Sequence, residues 1–400
     1  MNRITAVLVL LMICFTQSGA DTLPKPTGEY YVGVTYLSFT DENRMELFDD
    51  NQENKRELTV KAWYPSDRET EKEPYLLSAE LEFATKYLQF PEIYRNLKTN
   101  SSRDVPISAK EEQYPILIFS HGFGEHYSQN SILMEELASH GYIVFSISHH
   151  YECKFSSYPD GRLLYIDLGN QRIQKIMLEQ QNPKAITLLQ QTITAKDDKE
   201  RFEVLLEVGN TLPTMMNRSL VYWAEDLAFI IDQFDDISDS NTIFKNKMDV
   251  DRIGVFGMSL GGLATNEICL TDKRVKAGVS LDGGLYGNLI ERELEIPFMY
   301  LSGKRFQGYG KIFTDRSKTD CYALSVKQAD HYNFSDYSIY PVQSIGFLLG
   351  TIEGARTIEI MNVLVLAFFD KYLNDGKEID LIELANKFPE IEIVANRPKQ

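Results

Sequence analysis

Three residues in the second half of the chain have the types and spacing that nucleophilic catalysis requires. Gly257-Met258-Ser259-Leu260-Gly261 carries the Gly-x-Ser-x-Gly pattern of a nucleophile elbow, where a serine is raised on a sharp strand-to-helix turn. That turn strains the backbone, and the flanking glycines remove side chains that would clash. By composition alone the pattern turns up about once in ten chains of this length. Context separates it from a Gly-rich turn with an idle serine. The apolar run Arg252–Phe256 predicts a strand just before it, and a helical pattern opens near Gly262.

A serine hydroxyl is a poor nucleophile near neutral pH and needs a base oriented by a third group. Following such an elbow, the acid and then the histidine are expected in chain order. Of six histidines only His331 lies beyond Ser259, five residues after the predicted strand Tyr322–Val326. The predicted strand Val275–Leu281 ends in Asp282-Gly283-Gly284, which puts a carboxylate beside the elbow. The next strand end, Leu301-Ser302-Gly303-Lys304, offers no acid, and Asp315 and Asp320 follow no strand end directly. Ser259 is thus the expected nucleophile, His331 the base and Asp282 the acid that fixes the imidazole tautomer. A tetrahedral intermediate also needs oxyanion donors. The backbone N–H of Leu260 is one. The N–H of Phe123, within Ser120-His121-Gly122-Phe123-Gly124, is the expected second.

The elements that must position these groups follow from periodicity. Tyr30–Phe39 and Glu57–Trp63 read as strands rich in β-branched and aromatic residues. Tyr114–Phe119 is almost wholly apolar, as suits a strand covered on both faces. Ile132–His140 reads as a helix stopped at Gly141, and Tyr142–Ser148 as the next strand. From Tyr151 to Arg218 the rhythm lapses into a polar, mostly helical stretch, predicted to be a lid or cap inserted at 151–218. Leu220, Trp223, Ala224, Leu227, Ile230, Ile231 and Phe234 then share one helical face. The strands Arg252–Phe256, Val275–Leu281, Ile296–Leu301 and Tyr322–Val326 follow, with a closing helix over Ile358–Leu373. The alternation predicts an α/β class with a mostly parallel central sheet flanked by helices. With the elbow, it predicts the α/β-hydrolase fold, as a single domain over 21–400 with a helical lid.

Composition bounds the partners. The 400 residues carry a net charge of -17, which excludes nucleic acid, since phosphate neutralisation needs clustered Lys and Arg. A small-molecule ester or phospholipid substrate fits, and peripheral contact with a neutral or zwitterionic lipid surface stays open. Arg3, the apolar run Ala6–Phe15 and Ser18-Gly19-Ala20 predict a cleavable signal peptide over 1–20, hence a secreted or periplasmic protein. Cys153, Cys269 and Cys321 then remain, and either one disulfide with a free thiol or no disulfide is compatible with an oxidising compartment. His149, His150, Glu152 and Cys153 bunch at a strand end without a common zinc spacing, and are expected near the active-site mouth. No metal and no cofactor are called for. Asn100-Ser101-Ser102, Asn217-Arg218-Ser219 and Asn333-Phe334-Ser335 match the glycosylation acceptor pattern, the third close to His331.

At these residues the chain resembles the plasma-type platelet-activating factor acetylhydrolases (lipoprotein-associated phospholipase A2). The likeness runs through Ser120-His121-Gly122-Phe123-Gly124, Leu137-Ala138-Ser139-His140-Gly141-Tyr142-Ile143-Val144 and Gly257-Met258-Ser259-Leu260-Gly261-Gly262. It continues in Leu281-Asp282-Gly283 and His331-Tyr332-Asn333-Phe334-Ser335-Asp336, and so covers roughly Tyr114 to Leu373. The resemblance implies calcium-independent release of short or oxidised sn-2 acyl chains from phospholipids. It implies a triad at Ser259, Asp282 and His331, with oxyanion donors at Phe123 and Leu260. Two positions depart from the family pattern: Met258 stands where a histidine is usual, and Gly283-Gly284 where an Ala-Trp pair is usual. A broad carboxylesterase related to dienelactone hydrolase is the alternative enzyme, and a non-catalytic binding protein on the same fold is the third reading.

Overall fold

The computed structural model describes residues 21–49, 53–211, 214–284, 290–374 and 378–397. The predicted signal segment, 1–20, lies outside the described residues. In chain order the strands are β1 (Tyr31–Met45), β2 (Lys55–Ser66), β3 (Lys72–Pro74), β4 (Lys98–Arg103), β5 (Tyr114–Ser120), β6 (Ile143–Ser148), β7 (Phe155–Ser157) and β8 (Leu163–Tyr165). After them come β9 (Met248–Met258), β10 (Val275–Leu281), β11 (Phe298–Ser302), β12 (Cys321–Val326) and β13 (Ile391–Arg397). One sheet runs in the order β13-β12-β11-β10-β9-β5-β6-β2-β1-β4-β3, and β7 and β8 form a separate hairpin.

The six strands from β12 to β6 pair in parallel. Antiparallel partners flank them: β13 beside β12, and β2 then β1 beside β6. Parallel strands need crossover helices, and those helices cover both faces. The continuous apolar runs are the sequence trace of that double cover. In β5, Leu117 and Phe119 point into a core shared with helices Ser131–Ser139 and Gly354–Leu373. Ile116 and Ile118 point into the opposite core, with helices Thr214–Asp232 and Leu260–Thr271. The strand ends from β5 to β12 therefore converge at one sheet edge, where ligand chemistry in such sheets is sited.

The expected architecture is present, and the predicted strand Val275–Leu281 has the observed bounds. Helix Ser131–Ser139 ends at His140, with Gly141 at φ +95°. All seven residues of the Leu220–Phe234 stripe are buried. The helix itself stops at Asp232, however, and Phe234 opens a separate one, Phe234–Ser240. Between β6 and β9 the chain forms the β7–β8 hairpin and helices Gln171–Gln180, Pro183–Thr194 and Asp198–Thr211. Ile173, Ile176 and Leu205 anchor that segment in the second core. The hairpin and strands β3, β4 and β13 were not expected, since each is short, polar or terminal and draws its pairing from distant neighbours.

Candidate active site

Strand β9 delivers Ser259 directly into helix Leu260–Thr271. The serine has φ 58° and ψ -119°, a left-handed backbone state that is costly for a residue with a Cβ. The turn is tight enough to demand its glycines. A Cβ on Gly257 would fall 2.3 Å from the Gly261 carbonyl oxygen, and one on Gly261 would fall 2.0 Å from that of Ser120.

Ser259 Oγ lies 3.0 Å from His331 Nε2. Across the ring, His331 Nδ1 lies 2.6 Å from Asp282 Oδ2, so the three side chains form one hydrogen-bonded chain. Asp282 follows β10 at φ 45° and is fully buried, while the histidine side chain is 14% exposed. The second Asp282 oxygen accepts from the Gly303 N–H at 2.7 Å. The strand end that lacks an acid thus contributes a backbone donor that holds one. Asp315 instead pairs with Lys311, and Asp320 accepts from Tyr372.

His331 opens a short 3-10 turn, His331–Phe334, and its N–H donates to the Asp330 carboxylate at 2.8 Å. Asn333 braces the same loop, accepting from the N–H groups of Asp330 (2.9 Å) and Gly350 (2.6 Å). Its amide nitrogen donates to Ser338, and that of Asn100 donates to the carbonyls of Leu23 and Pro24. Two of the three acceptor asparagines flagged in the sequence, Asn100 and Asn333, are therefore engaged within the fold. The ring of Phe306 stands edge-on to the imidazole at 5.9 Å.

The loop after β5 packs against the nucleophile: a Cβ on Gly122 would lie 3.4 Å from that of Ser259. The Gly122 N–H donates to Gln129 Oε1 at 2.9 Å, and Gln129 Nε2 reaches Met258 Sδ at 3.3 Å. Met258 thereby ties the elbow to that loop. Among the described residues, the N–H groups of Phe123 and Leu260 donate to no protein acceptor. Leu260 is the first residue of its helix, where unsatisfied donors and the macrodipole favour negative charge.

His149, His150, Glu152 and Cys153 do not line the mouth, contrary to the sequence expectation: each is at most 1% exposed. They sit behind the site because Trp223 and Asp226, on helix Thr214–Asp232, close over the end of β6. There they build a second serine–histidine–aspartate chain, which sequence reasoning missed. Ser120 Oγ lies 2.8 Å from His149 Nε2, and His149 Nδ1 lies 2.8 Å from Asp226 Oδ2. Burial alone would raise the Asp226 carboxyl, but Arg56, with His149 and Arg44, holds it far below the usual carboxylate range. Burial pushes the His149 imidazole below its ordinary value against the pull of Asp226. Trp223 stacks on that imidazole at 3.9 Å and donates its indole N–H to Glu152 at 2.7 Å. Cys153, Cys269 and Cys321 are free, buried thiols.

A mostly parallel sheet with a strained serine between strand and helix, and a histidine and aspartate at the following strand ends, defines an α/β-hydrolase. The likeness to solved structures agrees on the fold: a ferulic acid esterase from Streptomyces cinnamoneus superposes with a TM-score of 0.72 at 22% identity, covering 94% of this chain and 99% of that one. The profile of the family described as platelet-activating factor acetylhydrolase, isoform II, matches residues 15–388, and the chain belongs to that family. Curated relatives include the platelet-activating factor acetylhydrolases of Bos taurus, 24% identical over 90% of this chain and 80% of its own length, and of Cavia porcellus, 25% identical over 92% and 82%.

Proposed function

We propose that this chain is a serine ester hydrolase that releases short sn-2 acyl groups from phospholipids, with Ser259 as nucleophile, His331 as base and Asp282 as the acid. The observation that carries the reading is the continuous hydrogen-bonded path from the Ser259 hydroxyl to the buried Asp282 carboxylate. The names of the family and of the mammalian relatives supply the substrate class.

In the first step His331 Nε2 takes the Ser259 proton while Oγ attacks the ester carbonyl carbon. The charge that develops on the carbonyl oxygen is met by the N–H groups of Phe123 and Leu260, neither of which donates to another protein group among the described residues. Asp282 keeps the Nδ1 proton in place and stabilises the imidazolium. His331 then returns the proton to the departing lyso-phospholipid alcohol. Water attacks the acyl-enzyme with the same base, freeing the carboxylic acid and regenerating Ser259. The base must be neutral, so acid suppresses turnover.

Residues 1–20 are proposed to be removed on export, which N-terminal sequencing of the mature protein checks. The segment 151–218 is proposed as a cap over the substrate. The central test is acetate release from a 1-alkyl-2-acetyl phosphocholine, with p-nitrophenyl acetate as a soluble control. A fluorophosphonate should label Ser259 once per chain and abolish both activities. Labelling without any loss of phospholipid hydrolysis, or equal turnover of phospholipid by wild type and Ser259→Ala, would reject the proposal.

A further inference from the structure

We infer that Glu125 is a positioning residue that couples the oxyanion loop to the histidine loop, so that one buried carboxylate sets both the Phe123 donor and the His331 base. This rests on the acyl-transfer reading above and extends it to a residue outside the triad.

Glu125 lies two residues after Phe123, and its own N–H donates to the Gly122 carbonyl at 3.0 Å, closing the turn that carries Phe123. Its side chain then crosses to the other loop. Oε1 accepts the Tyr332 hydroxyl at 2.8 Å, and Tyr332 directly follows His331, with its ring 5.4 Å from the imidazole. Oε2 accepts the Tyr337 hydroxyl and Lys154 Nζ, each at 2.9 Å. The backbone N–H of Lys154 returns to the Glu125 carbonyl at 2.6 Å, and the Gly124 N–H donates to the Glu152 carbonyl at 2.8 Å. Loop, base and inserted segment thus meet at one 2%-exposed carboxylate.

Such a group is a poor choice for stability. Desolvating a carboxylate is costly, and apolar residues of similar volume generally serve a core as well or better. Its advantage is directional: three hydrogen bonds with fixed geometry define where two loops stand relative to each other. Burial and the adjacent Glu125 charge raise the Tyr332 hydroxyl above its ordinary value, so it remains a donor. Small displacements of a positioned donor or base are expensive in rate, because only the aligned geometry stabilises the transition state.

The test is a double-mutant cycle on Glu125→Ala and Tyr332→Phe, with kcat, KM, thermal stability and affinity for a trifluoromethyl ketone measured for each. Tyr332→Phe removes one hydroxyl and leaves the ring, so it reports on coupling even where Glu125→Ala folds poorly. Each single variant should lower kcat about tenfold with KM within about twofold, and weaken the ketone in step. The double variant should lose little more than Glu125→Ala alone, since that change already breaks the Tyr332 link. Single losses under about twofold, or losses that multiply in the double variant, overturn the coupling. Ser259→Ala separates the levels: if it retains turnover, the acyl-transfer reading fails. If it is inactive while the clamp variants behave as wild type, only the role of Glu125 fails.

Discussion

Asp282→Asn changes one atom, and its consequences follow from the two bonds that atom pair makes. In the native site Oδ2 faces His331 Nδ1 at 2.6 Å and Oδ1 faces the Gly303 N–H at 2.7 Å, with no water access. An asparagine has one acceptor for those two donors. If its oxygen faces the imidazole, its NH2 meets the Gly303 N–H, leaving a buried donor unsatisfied at a cost of about 1–3 kcal/mol. If it flips, the NH2 donates to Nδ1 and the imidazole proton moves to Nε2, where it blocks proton abstraction from Ser259. The flipped state wins, leaving about 1 molecule in 5 to 1 in 150 with a competent tautomer. In that fraction the imidazolium lacks its counter-charge, which in a partly screened site is worth roughly 2–3 kcal/mol, or about 30–150-fold. Together these give a loss in kcat of about 10²–10⁴, in line with the ~10⁴ seen for this change in other serine hydrolases. Initial rates on p-nitrophenyl acetate and on the acetyl phospholipid, alongside melting curves, measure it. Retention of more than about a tenth of kcat by a stably folded variant would refute the assigned role of Asp282.

Other expectations concern the scaffold. Burial pushes the Glu152 carboxyl up to about 7. Its folded form therefore binds more protons than its unfolded form, so its contribution is fully present below the unfolded value of ~4.3 and lost as pH rises through 7, by about 4 kcal/mol. Glu152→Gln should raise the melting temperature at pH 8 and leave it unchanged near pH 4.5. Asp226→Ala leaves the fully buried Arg56 guanidinium with Glu46 as its remaining carboxylate and removes the partner of His149, and should cost about 3 kcal/mol or more in denaturant melts. Gly261→Ala forces a Cβ against the Ser120 backbone and should cost about 3 kcal/mol or more, with loss of fluorophosphonate labelling at Ser259.

The parts of the site that depend on local rules were legible in the sequence. Gly257-Met258-Ser259-Leu260-Gly261 announces its own turn because the strained serine and the close approach at Gly261 restrict which residues fit. Chain order isolated His331, and the strand end at Leu281 isolated Asp282. The supports were not legible. Glu125, Gln129 and Tyr332 act through contacts across more than a hundred positions, and no period or motif marks them. Gly303 contributes only a backbone N–H, which residue type cannot reveal. The expectation for His149 and His150 failed for a related reason. Strand-end position was read correctly, but whether a strand end faces substrate or is roofed by Trp223 and Asp226 depends on where helix Thr214–Asp232 packs. Likewise β13 gains its identity from pairing with β12, not from its own composition.

The roofed Ser120–His149–Asp226 chain has a practical corollary. It is not a spare. Ser120 lies within a regular strand instead of on a sharp turn, and the negative charge that would steady a protonated His149 is already spent on Arg56. Even a channel cut to it would expose a hydroxyl with no reason to react. Deleting the hydroxyl at 259 therefore leaves no second nucleophile among the described residues, so turnover should fall to the small remainder that oxyanion donors and substrate binding alone supply.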